Sequence, residues 1–203
     1  MNQDEIDSAL EGIERETDSN VRAVLTAALV SELFREEGFE PVVVGGSAIE
    51  VYTEGAYRSG DVDLCFSGPS RPDLETRAQI MRNRLHAKGS LRTWQIGGQF
   101  IDLLGELETV SHKSLRSLET PLGEIVLMPV EELIAERVFV ARGWQSPNED
   151  AEICARKLIN WALQQPVSVD WDEVERIAKL PVYDCADHLA AIKSEVEAQI
   201  GKE

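Results

Sequence analysis

The chain has 203 residues, 43% of them hydrophobic and 28% charged, which is enough for a real hydrophobic core. Its net charge of −17 repels phosphate backbones and argues against broad non-specific binding of DNA or RNA. The three cysteines form no Cys-x-x-Cys pair and the three histidines have no ligand spacing, so neither a disulfide framework nor a zinc site is expected. A polar, acidic N-terminus and the lack of a long apolar run argue against a signal peptide or a membrane partner, and we expect a cytoplasmic protein.

The first third of the chain alternates helical and strand patterns. A short acidic helix is predicted over 4–16, and a second helix begins at Asp18 or Ser19 and ends at Gly38. The β-branched run 42–44 predicts a buried strand. A helix follows from Ser47 until Gly55, and alternation of acidic and apolar residues then predicts a strand over 61–66.

The remaining patterns predict a helix, two hairpins and a helical end. The helix covers 72–88. The first hairpin pairs 91–96 with 100–104, and the second pairs 118–121 with 124–127 around a turn at Leu122-Gly123. Four helices are predicted after Pro129, over 130–142, 148–164, 171–179 and 184–200. We therefore predict an α/β (α+β) fold with a mixed sheet flanked by helices over residues 1–128 and a helical C-terminal region over 129–203.

Two aspartates on the strand at 61–66 are candidate metal ligands. Side chains two residues apart on a strand share a face at a repeat of roughly 6.6 Å. Asp61 and Asp63 are so placed, and carboxylates of this kind bind Mg²⁺ together with substrate phosphates. A third carboxylate, Asp102, lies in an otherwise apolar strand, where a metal is a good partner for it.

The turn Gly45-Gly46-Ser47 lies between a predicted strand and a predicted helix. Two glycines let the backbone approach a phosphate closely, and a helix N-terminus points free N–H groups at it. The Ser47 hydroxyl adds a hydrogen bond. Together with the carboxylates, the turn predicts a site for a metal-bound nucleoside triphosphate.

Each of these features has a structural alternative. A Gly-Gly turn is usually only a turn, Asp-x-Asp is usually a solvated strand end, and Asp102 alone is most often a hydrogen-bonded structural acid. Asp-x-Asp also occurs in haloacid-dehalogenase-type phosphatases, but no buried strand precedes Asp61 here. Metal-dependent glycosyltransferases use the same pair without an upstream Gly-Gly-Ser turn. The combination is more specific than any of its parts.

The combination of Val44-Gly45-Gly46-Ser47 with Asp61-Val62-Asp63-Leu64 resembles the signature of the DNA-polymerase-β-like nucleotidyltransferase superfamily. Its small prokaryotic members are similar to abortive-infection nucleotidyltransferase toxins, which suggests a toxin–antitoxin role. The resemblance implies a nucleotidyltransferase-type sheet, with Gly45, Gly46 and Ser47 on the β- and γ-phosphates. It also implies that Asp61, Asp63 and Asp102 are both catalytic residues and ligands of Mg²⁺ or Mn²⁺. Arg58, in the lead-in to the acids, and Arg137, in the entry to the helical region, become nucleotide-binding candidates.

The implied activity is Mg²⁺-dependent transfer of a nucleoside monophosphate from a nucleoside triphosphate to a hydroxyl group. The acceptor stays open: an RNA end, a protein or a small molecule. The alternative is a non-catalytic module of the same fold that binds a nucleotide or a partner, as an antitoxin or a regulator. Nothing in the sequence indicates an oligomeric state.

Two further features bear on the acceptor. Residues 71–92 are locally basic, as either a solvated, salt-bridged helix face or a substrate groove. The basic residues there are Arg71, Arg77, Arg82, Arg84, Lys88 and Arg92. Trp144, in an expected inter-helix loop, is either a packing residue or a residue that stacks on a base.

Overall fold

The computed structural model describes residues 1–143, 146–165 and 169–201. Their contacts divide the chain into two compact units. The first unit comprises residues 1–51, 58–108 and 115–128, and the second comprises 52–57, 109–114 and the residues from 129 onward. The division into domains at residue 128 stays a prediction. No helix within the described ranges has both the length and the apolar character needed to span a membrane.

Four α-helices belong wholly or mainly to the first unit. They are α1 (Gln3–Arg15), α2 (Ser19–Glu36), α3 (Gly45–Tyr52) and α4 (Leu74–Ala78), and α4 continues as a π-helix over Gln79–Arg84. The side chain of Asn2 caps α1 by accepting from the backbone N–H of Glu5. Asp18 caps α2 by accepting from the two N–H groups of Asn20 and Val21. Such caps satisfy backbone donors that a helix start leaves without partners.

A seven-stranded mixed sheet forms the centre of the first unit. Its strands are β1 (Glu40–Val43), β2 (Asp61–Ser67), β3 (Lys88–Ser90), β4 (Thr93–Ile96), β5 (Gln99–Glu106), β6 (Arg116–Thr120) and β7 (Gly123–Leu127). The spatial order is β3-β4-β5-β2-β1-β7-β6. The β2–β5 and β1–β7 pairs are parallel, and the other four pairs are antiparallel. This mixed sheet with flanking helices confirms the predicted fold class.

Alternation along β2 separates the core from the candidate site. Val62, Leu64 and Phe66 are buried on one face, whereas Asp61 and Asp63 on the other face stay partly accessible. The ring of Phe66 packs edge-on against Phe34 of α2, with ring centroids 5.1 Å apart. The apolar side of the strand therefore anchors it to the core, and its acidic side stays partly open to solvent.

The second unit is helical. Its helices are α5 (Val130–Val138), which continues as a π-helix over Phe139–Gly143, α6 (Glu149–Gln164), α7 (Trp171–Ala178) and α8 (Ala186–Ile200). Segment 109–114 is fastened within this unit by two buried carboxylates. Glu132 accepts from the N–H groups of Val110 and Ser111, and Glu173 accepts from the N–H of His112 at 2.6 Å.

The helix predicted over 72–88 is wrong at its C-terminal end. Regular α-helix ends at Ala78, the π-helix ends at Arg84, and Lys88 already lies in β3. His86 has a left-handed φ of 53°, which a continuing helix does not allow. At Gly89, with φ 137°, an added Cβ would lie 2.3 Å from the carbonyl oxygen of Thr93, so glycine is required for β3 to pair with β4.

The first helical residue of α3 and the second hairpin turn also differ from the prediction. Helix α3 begins at Gly45, two residues before the expected start at Ser47. The turn between β6 and β7 is Pro121-Leu122, so Gly123 already belongs to β7, where it pairs with Thr120.

Three arginines of the basic segment have structural partners. Arg77 donates to the carbonyl oxygens of Leu103 and Leu104. Arg82 lies over the ring of Trp94, 5.5 Å from its centroid. Arg84 pairs with Glu36 at 2.8 Å. The segment is therefore not a single basic groove, and these three side chains stabilise the first unit.

Candidate active site

Parallel pairing of β2 with β5 brings the three predicted carboxylates together. Asp63 lies directly opposite Asp102, and Asp61 lies opposite Phe100. One carboxylate oxygen from each of Asp61, Asp63 and Asp102 lies within 4.8 Å of the others, and all three residues are half-buried. Three hard oxygen donors this close, and open to solvent on one side, fit a divalent cation such as Mg²⁺ or Mn²⁺.

The glycine turn lies against the same carboxylates. Gly45 has φ 59°, a conformation that side chains rarely adopt, and an added Cβ would lie 3.1 Å from Asp63 Oδ2. Helix α3 begins at this residue, and Gly46 is in its first turn. The N-terminal N–H groups of α3 therefore start beside the acids, as a phosphate-binding turn requires.

Ser47 connects the turn to the metal-binding strand. Its side chain is 5% exposed, and its hydroxyl donates to the carbonyl oxygen of Val44 at 2.8 Å. The same oxygen accepts from the backbone N–H of Asp63 at 2.9 Å. These two bonds fix the relative position of the turn and of Asp63, a role that the motif did not predict.

Glu50 is a site-supporting residue that sequence reasoning missed. It lies on α3, is 5% exposed, and accepts from the N–H of Ser59 at 2.8 Å. The Ser59 hydroxyl in turn donates to Asp61 Oδ1 at 2.9 Å. Burial raises the pKa of Glu50, although the Ser59 hydrogen bond and the charge of Arg58 partly oppose this rise. The sequence carries one signal for this residue, because Glu50 is a single acid within the otherwise apolar run 48–52.

Arg92 lies beside the third carboxylate. Its Nε is 3.7 Å from Asp102 Oδ2, and its side chain is 65% exposed. At that exposure the pair contributes little to stability. The guanidinium therefore neutralises Asp102 loosely and can move away from it.

The predicted arginines lie in different units. Arg58, in the first unit, is exposed and donates from Nη1 to the Ser19 hydroxyl at 2.7 Å. Arg137, on α5 of the second unit, donates from Nη2 to Glu136 at 2.7 Å. Its Nε is buried without a hydrogen-bond partner among the described residues. Trp144 lies outside the described residues.

No protein-family model matches the sequence, and no curated protein matches it either. The fold does have solved counterparts. A crystal structure of an antigenic nucleotidyltransferase-like protein from Paracoccidioides brasiliensis is similar at a TM-score of 0.54 and 13% identity, over 83% of this chain and 90% of that one.

Two structures of ANT(2'')-Ia are more distant. The crystal structure in complex with adenylyl-2''-tobramycin has a TM-score of 0.47 and 15% identity, over 82% of this chain and 94% of the other. The solution structure of this antibiotic-resistance factor has a TM-score of 0.41 and 13% identity, over 89% and 95% of the two chains. From the likeness to the Paracoccidioides protein, the chain has a nucleotidyltransferase-like fold.

Proposed function

We propose that this protein is a Mg²⁺-dependent nucleotidyltransferase, able to use Mn²⁺, that moves a nucleoside monophosphate from a nucleoside triphosphate to a hydroxyl acceptor. The observation that carries the proposal is the cluster of Asp61, Asp63 and Asp102, with ligand atoms within 4.8 Å, against a turn where Gly45 has a left-handed φ of 59° and a Cβ would lie 3.1 Å from Asp63 Oδ2. The nucleotidyltransferase-like fold supports the same class.

The residues divide into metal-holding and phosphate-holding groups. Asp61, Asp63 and Asp102 would hold the divalent cation, which when bound supplies positive charge to the reacting phosphates. The N–H groups of Gly45 and Gly46 would bind the β- and γ-phosphates at the start of α3. Ser47 would mainly keep these two groups in register, because its hydroxyl already bonds Val44 and Asp63.

The reaction is an in-line displacement at the α-phosphorus. The acceptor oxygen forms a bond to that phosphorus while the bond to the oxygen bridging to the β-phosphate breaks, so pyrophosphate leaves with the electron pair. The acceptor proton passes to the carboxylate of Asp102. Positioning and charge stabilisation supply most of the rate enhancement in such transfers. Arg58 and Arg137 are proposed to add positive charge along the nucleotide.

A non-catalytic nucleotide-binding module of the same fold is the second candidate. The proximity of Arg92 to Asp102 favours it, since a guanidinium can neutralise this carboxylate without a metal. An antitoxin or regulatory role would follow in that case. The toxin-like alternative, with RNA or protein as acceptor in the cytoplasm, rests on the sequence resemblance alone.

Replacement of a metal ligand tests the catalytic proposal. We expect Asp63→Ala to reduce transfer of label from an α-labelled nucleoside triphosphate by about a hundredfold to a thousandfold, because loss of one group that stabilises the transition state by its charge commonly costs this much. The assay supplies cell RNA, cell protein and small molecules as separate acceptor fractions. Glu119→Ala removes an exposed acid from the distant strand β6 and serves as the matched control.

Circular dichroism should show the same secondary structure for both variants and the wild type. Transfer by Asp63→Ala at the wild-type rate would rule out the proposed role of this carboxylate. Absence of transfer by the wild-type protein with every acceptor fraction, despite Mg²⁺-dependent nucleotide binding, would instead favour the non-catalytic module.

A further inference from the structure

Two cross-strand rows of side chains extend from the acids across the open face of the sheet. In one row, Asp61 of β2 lies opposite Phe100 of β5, Phe100 opposite Gln95 of β4, and Gln95 opposite Lys88 of β3. Directly paired residues point to the same side of a sheet, so these four side chains share one face.

The second row lies beside the first and also begins on β2. Asp63 lies opposite Asp102, Asp102 opposite Thr93, and Thr93 opposite Ser90. The metal-binding carboxylates therefore occupy one end of both rows. The remaining side chains are an aromatic ring, an amide, two hydroxyls and one amine.

Phe100 is the unusual member of this surface. Phe100 is 48% exposed, whereas the next residue on the strand, Ile101, points to the buried face. A single exposed aromatic residue is ordinary. Phe100, however, lies on the strand next to that of Asp61, so the two positions are about 5 Å apart. Gln95 lies one strand further on, about 10 Å from Asp61.

The position of the first row relative to the glycine turn indicates which substrate contacts Phe100. Gly45 follows β1, which lies on one side of β2, whereas β5, β4 and β3 lie on the other side. In an in-line displacement the attacking and leaving oxygens lie on opposite sides of the phosphorus. If the leaving pyrophosphate occupies the turn, the acceptor must approach from the side of Phe100.

The charge of the chain favours a small acceptor over a polynucleotide. A net charge of −17 repels a phosphate backbone. Lys88 is the single basic side chain in the two rows, so the rows do not form a basic groove beside the acids.

We propose that Phe100, with Gln95 and Thr93, forms the acceptor subsite, and that the acceptor is a small molecule whose hydroxyl lies on or beside a ring. The ring packs on Phe100, while Gln95 and Thr93 donate and accept hydrogen bonds at its edge. Phe100 is thus a specificity-determining residue for the acceptor. This inference rests on the proposed nucleotidyl transfer.

The test compares Phe100→Ala and Phe100→Tyr with the wild type, using Leu118→Ala as control because Leu118 is a similarly exposed apolar side chain on β6. Acceptors are adenosine and glucosamine as ring alcohols, sorbitol and serine as acyclic alcohols, and an RNA oligonucleotide. We expect transfer to a ring alcohol, with a KM for that acceptor at least about tenfold higher in Phe100→Ala. The KM for nucleotide should be unchanged, and Phe100→Tyr and Leu118→Ala should resemble the wild type.

A binding measurement separates failure of this inference from failure of the proposed function. Saturation-transfer NMR with the ring alcohols needs no turnover and should show strong contact with the wild type and Phe100→Tyr and a much weaker signal with Phe100→Ala. Equal contact with Phe100→Ala, equal use of acyclic alcohols, or label found only in RNA would each overturn the acceptor assignment while leaving nucleotidyl transfer intact. Ring contact that depends on Phe100, without any transfer, would retain the subsite and count against the catalytic proposal.

Discussion

Glu50 acts on the metal site through a neighbour. It bonds the N–H of Ser59, whose hydroxyl bonds Asp61, so the three residues form one chain from α3 to the metal-binding strand. A ligating carboxylate held by a second hydrogen bond is oriented before the metal arrives, which raises metal affinity. Glu50 is therefore a positioning residue in the proposed enzyme.

We expect Glu50→Ala to raise the Mg²⁺ concentration needed for half-maximal transfer by about tenfold, with a smaller effect on kcat at saturating Mg²⁺. Glu50→Gln should be closer to the wild type, because its amide oxygen still accepts from Ser59. In a double-mutant cycle with Ser59→Ala the two losses should not add, since both break the same chain. Additive losses, or a lower melting temperature without a change in Mg²⁺ dependence, would show that Glu50 stabilises the fold and does not position the metal ligand Asp61.

The residue types of the site could be read from local spacing, but their mutual contacts could not. Gly45, Asp61 and Asp63 stand in a short motif whose turn and strand are local structures. The contact of Asp63 with Asp102 depends on the parallel pairing of β2 with β5, which no local pattern determines. The hydrogen bond between Ser47 and Asp63 depends on the antiparallel pairing of β1 with β2. The position of Phe100 beside Asp61 depends on the pairing of β5 with β2.

At the scale of elements, the second unit holds segment 109–114 through charged contacts with α7. Glu173 is 7% exposed in its side chain and bonds Arg176 at 2.7 Å, while Arg176 bonds the carbonyl oxygen of Val110 at 2.7 Å. The Arg176 hydrogen bonds, followed by the N–H of His112, lower the pKa of Glu173 from 4.5 to about 2. The segment is therefore fastened most firmly when this carboxylate is ionised.

The lowered pKa of Glu173 predicts a defined loss of stability in acid. A carboxylate whose folded-state pKa lies below its unfolded value stabilises the fold above about pH 4.5, and this contribution disappears as the pH falls towards 2. For a shift of this size the contribution is about 2–3 kcal/mol. We expect Glu173→Gln to lower the free energy of unfolding by this amount at pH 7 and by much less near pH 2.5.

Urea unfolding between pH 7 and pH 2.5 measures this difference. Glu175→Gln is the matched control, because Glu175 lies on the same helix and pairs with Lys179 while remaining 56% exposed. That variant should stay close to the wild type at every pH. A constant difference between wild type and Glu173→Gln across the range would contradict the account.

Element prediction was most accurate where the chain carries strong local signals. Asp18 caps α2 as expected, and β2 follows the alternation of acidic and apolar residues. Strand β3 was missed because its three residues, Lys88–Ser90, are all exposed and include no apolar side chain. Its formation depends on pairing with β4, which a sequence pattern of three residues does not reveal.

At the scale of the whole molecule, the charge of the chain and its fold each limit the function in a different way. The charge of −17 argues against a general nucleic-acid-binding protein, and the sheet has a nucleotidyltransferase-like arrangement at 13% identity. Neither indicates the acceptor. Phe100 and Gln95 extend the surface that begins at Asp61, and we infer the acceptor from the side chains of this surface.

The most direct measurement of the central claim follows the α- and the γ-phosphorus of the nucleotide in parallel reactions. The wild-type protein is incubated with Mg²⁺, the acceptor fractions and a triphosphate labelled either at the α- or at the γ-phosphorus. Nucleotidyl transfer predicts that the α-label joins an acceptor, that the γ-label appears in pyrophosphate, and that chelation of Mg²⁺ abolishes both. Transfer of the γ-label to an acceptor, or movement of the α-label that persists after chelation, would contradict a metal-dependent nucleotidyltransferase built on Asp61, Asp63 and Asp102.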